Sequence, residues 1–250
     1  MIFPIGDDQV KGGHFPIVSY ALLAANVLVF FYQISLGSAM GAFNLEYGSI
    51  PVEIMQGDDL FTLFTSIFMH GGWMHLIGNM LFLFVFADNI EATIGSPKFF
   101  LFYMLGGMFA HAAHIFFNVS SVIPTVGASG AISAVMGAYL VMFPKSRIKM
   151  LVIVFFRSSH IPAIFFLVFW IGQQVFSGVG NIGADPNASG TAWWAHIGGF
   201  VFGVLGGFLF RGTTKMLPTV DNTQRPKQIR QTRAERRAAR PPGEKYPGYL

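Results

Sequence analysis

Six long apolar segments follow one another along the chain and account for most of its length. They run over approximately residues 16–36, 61–86, 97–117, 127–143, 161–177 and 192–210. Each approaches the ~20 residues that an α-helix needs to cross a lipid bilayer. Charged residues make up 11% of the chain, whereas soluble domains carry about 25%. The pattern predicts an all-α membrane protein with a single six-helix domain over residues 16–211.

Basic residues are confined to alternate connections between these segments. All 16 Lys and Arg residues lie before the first segment, after the fourth or sixth, or, in the case of Lys98, in the loop expected between the second and third segments. The other connections, residues 37–60, 118–126 and 178–191, contain no Lys or Arg. Because connections rich in Lys and Arg remain in the cytoplasm, this distribution predicts six transmembrane helices with both termini cytoplasmic.

The two ends of the chain and one internal segment are too polar or too short to span a membrane. Residues 1–15 are polar and are expected to form a cytoplasmic N-terminal segment. Residues 212–250 combine many basic residues with proline and few apolar side chains, which predicts a largely disordered cytoplasmic tail. Contact of this tail with anionic lipid head groups is an alternative that its charge also allows. Residues 148–156 are apolar but short, so we expect a surface element at the cytoplasmic face.

Polar side chains within the apolar segments are few, and their cost in lipid makes them candidates for function. They are His70, His75, Asn79, His111, His114, Ser129, Ser133, Gln173, Gln174 and His196. The group contains no carboxylate, although an intramembrane aspartyl protease needs two and a zinc protease needs the Glu of His-Glu-x-x-His. The chain also contains no cysteine, which excludes thiolate catalysis and cysteine metal sites. What remains for hydrolysis is a serine with a histidine base, and we expect no metal or other cofactor.

Ser129 and His196 are expected at the same depth in the membrane. Ser129 lies 16 residues before Lys145, which corresponds to about 24 Å of helix. His196 lies 15 residues before Arg211, which corresponds to about 22 Å. Both side chains should therefore sit at a similar height above the basic face, a few ångströms below the opposite surface.

Small residues recur every four positions on the fourth and sixth segments. They are Ser129, Ser133 and Gly137 on the fourth segment and Gly199, Gly203 and Gly207 on the sixth. Such spacing lets two transmembrane helices approach until their backbones touch. We expect Gly127 and Gly130, beside the serine, to contribute to the same packing. A hydrogen bond between the serine and the histidine is then feasible.

Three motifs occur in order along the second, fourth and sixth segments. They are His75-x-x-x-Asn79, Gly127-Ala128-Ser129-Gly130 and Ala195-His196-x-x-Gly199-x-x-x-Gly203. Together they resemble the motifs of the rhomboid intramembrane serine proteases, and the resemblance extends from about Phe15 to Arg211. It implies the six-transmembrane-helix rhomboid bundle of the bacterial type.

The resemblance also implies a role for each motif residue. Ser129 would be the nucleophile and His196 the general base and acid of a serine endopeptidase. Asn79, His75 and the Ser129 backbone N–H would form the oxyanion hole. The substrates would be membrane proteins, cut within or beside their transmembrane segments, and no nucleic acid is expected as a partner. The protein would lie in a bacterial inner membrane with its site open to the extracytoplasmic side.

One position departs from the pattern of some family members. In those proteins an aromatic residue one turn after the serine stacks on the catalytic histidine, and here that position is Ser133. His196 must therefore be oriented by another group. Two other functions stay open: a catalytically inactive rhomboid-like protein that binds client proteins, and a channel or transporter. Inactive relatives usually lose the serine or the histidine, and transport usually needs buried charge, so both are disfavoured.

Overall fold

A computed structural model describes residues 2–10, 15–152, 157–183, 185, 190–213 and 219–220. Within these residues it contains nine α-helices and five β-strands. The helices are α1 (Ile17–Ser35), α2 (Met40–Tyr47), α3 (Pro51–Gln56), α4 (Thr62–Thr65), α5 (Trp73–Ile94), α6 (Ser96–Phe117), α7 (Ser129–Met142), α8 (Ala163–Gly180) and α9 (Trp193–Thr213). The strands are β1 (Ile2–Asp7), β2 (Gln9–Val10), β3 (Arg147–Val152), β4 (Arg157–Pro162) and β5 (Thr219–Val220).

Five of these helices are long and apolar enough to cross a membrane, namely α1, α5, α6, α8 and α9. The other predicted span corresponds to α7, which has only 14 residues. At 1.5 Å per residue α7 extends over about 21 Å, which is less than the ~30 Å of a hydrocarbon layer. The described residues therefore form an all-α membrane bundle with five full-length candidate spans and one short central helix.

The second predicted span has the wrong boundaries. The hydrophobic pattern predicts residues 61–86, whereas α5 begins at Trp73, just after a pair of glycines, and ends at Ile94. Residues 62–68 form α4 and a short 3₁₀ turn instead. Glycine weakens a helix by about 1 kcal/mol relative to alanine, so two in succession allow the chain to break within a continuous apolar run.

The C-terminal half of α5 extends past the predicted end because its buried carboxylate is satisfied by hydrogen bonds. Glu91 is buried and accepts bonds from the Ser19 backbone N–H at 2.8 Å and hydroxyl at 2.7 Å. The Val18 N–H donates to the same carboxylate at 3.0 Å. Lys98, predicted in a loop, lies instead in the first turn of α6, because Gly95 alone joins α5 and α6.

A small antiparallel sheet, which the all-α prediction does not include, covers one end of the bundle. Its strand order is β1-β3-β4, and β2 pairs separately with β5. Ile148 and Met150 of β3 are buried against the helices. The surface element predicted over residues 148–156 is therefore β3 as far as Val152. These pairings bring the first residues of the chain, the β3–β4 hairpin and residues 219–220 to the same end of the bundle.

The N-terminal segment is attached to the bundle by buried polar contacts. Asp7 is buried and accepts hydrogen bonds from the Tyr139 hydroxyl of α7 and from Nδ2 of Asn89 at 2.6 Å. The polar segment predicted over residues 1–15 is thus partly a strand with a structural role. The tail predicted over residues 212–250 lies outside the described residues, except for 212–213 and 219–220.

The short helix α7 lies at the centre of the bundle, in backbone contact with α9. Twelve of its 14 residues are buried. A Cβ placed on Gly203 would overlap the carbonyl oxygen of Ala134, and one placed on Gly199 would overlap that of Gly130. Only residues without a side chain allow two helices to approach so closely. The helices that carry the serine and the histidine are therefore held together along their length.

Candidate active site

Ser129 and His196 meet at one end of the α7–α9 contact. Ser129 is the first residue of α7, and His196 lies in the first turn of α9. The Ser129 hydroxyl lies 2.8 Å from Nε2 of His196. This is the distance that proton transfer from a serine nucleophile to a histidine base requires.

The start of α7 is set by the turn that precedes the serine. Gly127 has a φ of 135°, a backbone conformation that residues with a side chain rarely adopt. Its N–H donates to the Ser66 carbonyl at 2.9 Å, which fixes the turn against the preceding segment. Because Ser129 is the first residue of the helix, its own N–H has no acceptor within the helix. It also lies at the positive end of the helix dipole, so the position favours a negative charge.

His75 presents a hydrogen-bond donor beside this turn. The Gly71 N–H donates to Nδ1 of His75 at 3.4 Å, so in the neutral ring the proton is on Nε2. Nε2 lies close to the backbone of Gly127, since a Cβ placed on that glycine would be 2.7 Å from it. The His75 N–H therefore lies close to the backbone that leads into Ser129.

Asn79 lies one turn after His75 on α5 and is buried. Its amide donates to Nε2 of His70 at 3.0 Å, and the backbone N–H of His70 donates to Oε1 of Gln33 at 3.0 Å. One of the two N–H groups of the Asn79 amide is thus used to hold the side chain in place. The other remains for an acceptor in the cavity that Asn79 lines.

A cavity of about 860 Å³ contains all four motif side chains. Ser129, His196, His75 and Asn79 line one part of it. It continues between α6 and the segment before α9, where His111, His114 and Asp185 line its wall. Irregular backbone such as residues 118–128 is tolerated at membrane depth only beside protein or water. The cavity has room for water and for a stretch of polypeptide.

The two histidines of α6 have other neighbours. His111 lies 2.9 Å from the Ser66 hydroxyl, and Nδ1 of His114 lies 3.4 Å from the Asn118 amide. Among the described residues, no group of three or more His, Asp or Glu side chains is arranged to hold a metal ion.

His196 is held by residues of α8 that the sequence motifs do not include. Oε1 of Gln174 lies 2.8 Å from Nδ1 of His196. The Trp170 ring lies 5.8 Å from the imidazole, centroid to centroid. Ser133, at the position that is aromatic in some family members, donates its hydroxyl to the Ser129 carbonyl at 2.6 Å. The sequence signal was present, because a Gln and a Trp four residues apart in an apolar segment share one helix face.

The sequence is similar to proteins of one family. The profile of the Rhomboid domain matches residues 57–213. RHOMBOID-like protein 1 of Arabidopsis thaliana is 29% identical over 164 residues, which are 65% of this chain and 38% of that protein. Rhomboid protease GluP of Bacillus subtilis is 31% identical over 133 residues, which are 53% of this chain and 26% of that protein. The chain thus spans well under two thirds of the length of these curated relatives.

The relatives also include a protein described as inactive. Inactive rhomboid protein 1 of Drosophila melanogaster is 27% identical over 167 residues, which are 64% of this chain and 11% of that protein. Similarity alone therefore does not distinguish an active from an inactive protein, and the chemistry of the site must be considered. The Rhomboid profile nevertheless covers more than half of the chain, with the serine, the histidine and the cavity that they line inside the matched region. The protein belongs to the rhomboid family.

Proposed function

We propose that the protein is an intramembrane serine endopeptidase that cuts other membrane proteins within or beside their transmembrane segments. The observation that carries the proposal is the 2.8 Å contact between the Ser129 hydroxyl and Nε2 of His196. It occurs inside a membrane bundle, at the wall of a cavity large enough for polypeptide. Water cannot reach a peptide bond in lipid, so hydrolysis there requires such a cavity.

In the proposed reaction the Ser129 oxygen attacks the peptide carbonyl carbon while Nε2 of His196 takes its proton. The C–N bond then breaks, and the same proton passes to the leaving amine. Water, deprotonated by His196, attacks the acyl-enzyme, and the proton passes from His196 to the Ser129 oxygen as the new carboxyl group is released. No metal or ATP enters these steps.

The negative oxygen of the tetrahedral intermediate needs hydrogen-bond donors. We propose that the Ser129 backbone N–H, Nε2–H of His75 and the free N–H of the Asn79 amide supply them. The support is that all three residues line the cavity together with His196. Loss of one such donor typically lowers the rate by a factor of about 10²–10³.

Replacing Gly127 with alanine is expected to lower the rate of hydrolysis about 100-fold, a loss comparable to that of one oxyanion donor. The new Cβ would lie 2.7 Å from the His75 ring at a φ of 135°, so both the ring and the turn must move. The rate of cleavage of a model transmembrane substrate in proteoliposomes measures the effect. Gly172→Ala is the control, because a Cβ there meets no atom within 4 Å; an unchanged rate in Gly127→Ala would contradict the assignment of His75.

The proposed orientation of the protein in the membrane follows from the position of its basic residues. The end of the bundle that carries the sheet also carries Lys145, Arg147 and Lys149, and basic ends face the cytoplasm. Ser129 lies at the other end of α7, so the cavity would open toward the extracytoplasmic side. A bacterial inner membrane is the location that we propose for this arrangement.

Covalent labelling tests the proposed chemistry without knowledge of the substrate. A fluorophosphonate reacts with a serine only when a base activates it. We expect labelling of the detergent-purified wild-type protein and none of the Ser129→Ala or His196→Ala variants. A wild-type protein that stays unlabelled would contradict the proposal and favour a client-binding protein without activity. Labelling that persists in Ser129→Ala would place the reactive serine elsewhere.

A further inference from the structure

A continuous chain of hydrogen bonds connects the backbone of α8 to the serine. Nε2 of Gln174 lies 3.3 Å from the Trp170 carbonyl, and Oε1 of the same amide lies 2.8 Å from Nδ1 of His196. Nε2 of His196 in turn lies 2.8 Å from the Ser129 hydroxyl. Each link joins side chains of different helices or a side chain to its own helix backbone.

The direction of every bond in this chain follows from its first link. A backbone carbonyl can only accept, so the nitrogen of the Gln174 amide must face Trp170 and the oxygen must face His196. Because that oxygen is also only an acceptor, Nδ1 of His196 must carry the proton. In the neutral ring Nε2 is then unprotonated and can accept the proton of Ser129.

We propose that Gln174 is a positioning residue, which selects the reactive tautomer of His196 and fixes the orientation of its ring. The proposal rests on the proposed function, in which His196 acts as the base. In the other tautomer Nε2 would carry hydrogen and could not take the serine proton. Gln174 is only 5% exposed and its amide oxygen faces His196 of α9, so its bond to His196 is shielded from competing water.

Among the described residues, Gln174 is the only hydrogen-bonding partner of Nδ1 of His196. Ser133, one turn along α7, is occupied with the Ser129 carbonyl. The rings of Trp170 and Trp193 lie near the imidazole, with centroids at 5.8 and 6.3 Å, and pack against it without selecting a tautomer. Gln174 is therefore the group that determines which tautomer of His196 forms.

The kinetic test is Gln174→Leu, with Gln173→Leu as the matched control on the same helix. Gln174 is buried against His196, whereas the Gln173 side chain is exposed. We expect kcat for a transmembrane substrate to fall about 10- to 100-fold in Gln174→Leu, with KM changed less than about twofold. This is less than the ~10⁴-fold that loss of the orienting aspartate costs a serine protease triad, because glutamine carries no charge. Gln174→Glu, which keeps an acceptor oxygen, is expected to recover most of the lost rate.

A spectroscopic measurement separates this role from a general loss of structure. ¹⁵N-histidine NMR distinguishes a protonated ring nitrogen from an unprotonated one. With seven histidines in the chain, the signals of His196 are assigned by their absence from the His196→Ala variant. We expect a single Nδ1–H tautomer in Ser129→Ala and a mixture of tautomers in Ser129→Ala/Gln174→Leu.

The two measurements also separate this proposal from the proposed function. If the wild-type protein is not labelled by a fluorophosphonate, the endopeptidase proposal fails, while the tautomer of His196 can still be read. If the wild-type protein is active, and Gln174→Leu retains both full kcat and the Nδ1–H tautomer, the positioning role of Gln174 is wrong. A fall in kcat matched by Gln173→Leu would likewise overturn it.

Discussion

Replacing His196 with alanine is expected to lower the rate of peptide-bond hydrolysis by about 10⁴- to 10⁶-fold, which is the loss seen when a serine protease is deprived of its base or nucleophile. Ser129→Ala should lose activity to the same extent. Because the two side chains act as one unit, the double variant should be no slower than either single variant. Cleavage of a labelled transmembrane substrate in proteoliposomes, followed over hours, measures the residual rates.

His160→Ala is the control for this comparison. His160 is an exposed histidine of β4, at the opposite end of the bundle from the cavity, and its replacement should leave the rate unchanged. Thermal unfolding of each variant establishes that the bundle is intact. If the effects of Ser129→Ala and His196→Ala multiply in the double variant, the two residues act independently and the proposed dyad is wrong.

Replacing Gly203 with alanine is expected to lower the free energy of unfolding by about 3 kcal/mol or more, at the upper end of the cost of overpacking a core. The added methyl group would overlap the carbonyl oxygen of Ala134. Backbone cannot rotate away as a side chain can, so α7 and α9 must separate. The separation would also lengthen the contact between Ser129 and His196, and activity should fall together with stability.

Gly212→Ala provides the matched control on the same helix, since a Cβ at Gly212 meets no atom within 4 Å. Alanine favours helix over glycine, so this variant should be as stable as the wild type or up to about 1 kcal/mol more stable. Titration with a denaturing detergent, followed by circular dichroism, measures both variants. Equal stability of Gly203→Ala and the wild type would contradict the close contact of α7 with α9.

The assignment to a membrane protein and the positions of most helices follow from the hydrophobic pattern of each segment alone. The predicted boundaries of all segments except the second lie within three residues of the helices found, because apolar length is a property of each segment by itself. The end of the second segment was misplaced for a reason that is not local. Glu91 looks like the end of a span until Val18 and Ser19, more than 70 residues earlier, supply its hydrogen bonds.

The sheet was missed for a similar reason. β1 pairs with β3 across almost 150 residues, with Ile2 opposite Val152. Neither strand is long, and the apolar residues of β3 are equally compatible with a surface segment. Pairing partners at such a distance leave no periodic signal that a single segment can display.

The candidate site was likewise predicted only in part from the sequence. Residue counts place Ser129 and His196 at matched depth, and the structure brings their side chains to hydrogen-bond distance. The orientation of His196 depends instead on how α8 is rotated against α9, which no residue count provides. The sequence shows Gln174 as a polar residue in an apolar helix, but its contact with His196 depends on the packing of α8 against α9.

Ser129 and His196 are held by α7 and α9, which touch through backbone, whereas Gln174 belongs to α8, a helix with one buried face. The buried residues of α8 are Ala163, Leu167, Gln174 and Gly178, while Phe165, Phe169 and Phe176 are exposed on its outer side. The hydrocarbon chains of the bilayer therefore form most of the surroundings of α8. We therefore expect bilayer thickness and acyl-chain order to affect the contact between Gln174 and His196 before they affect the contact between α7 and α9.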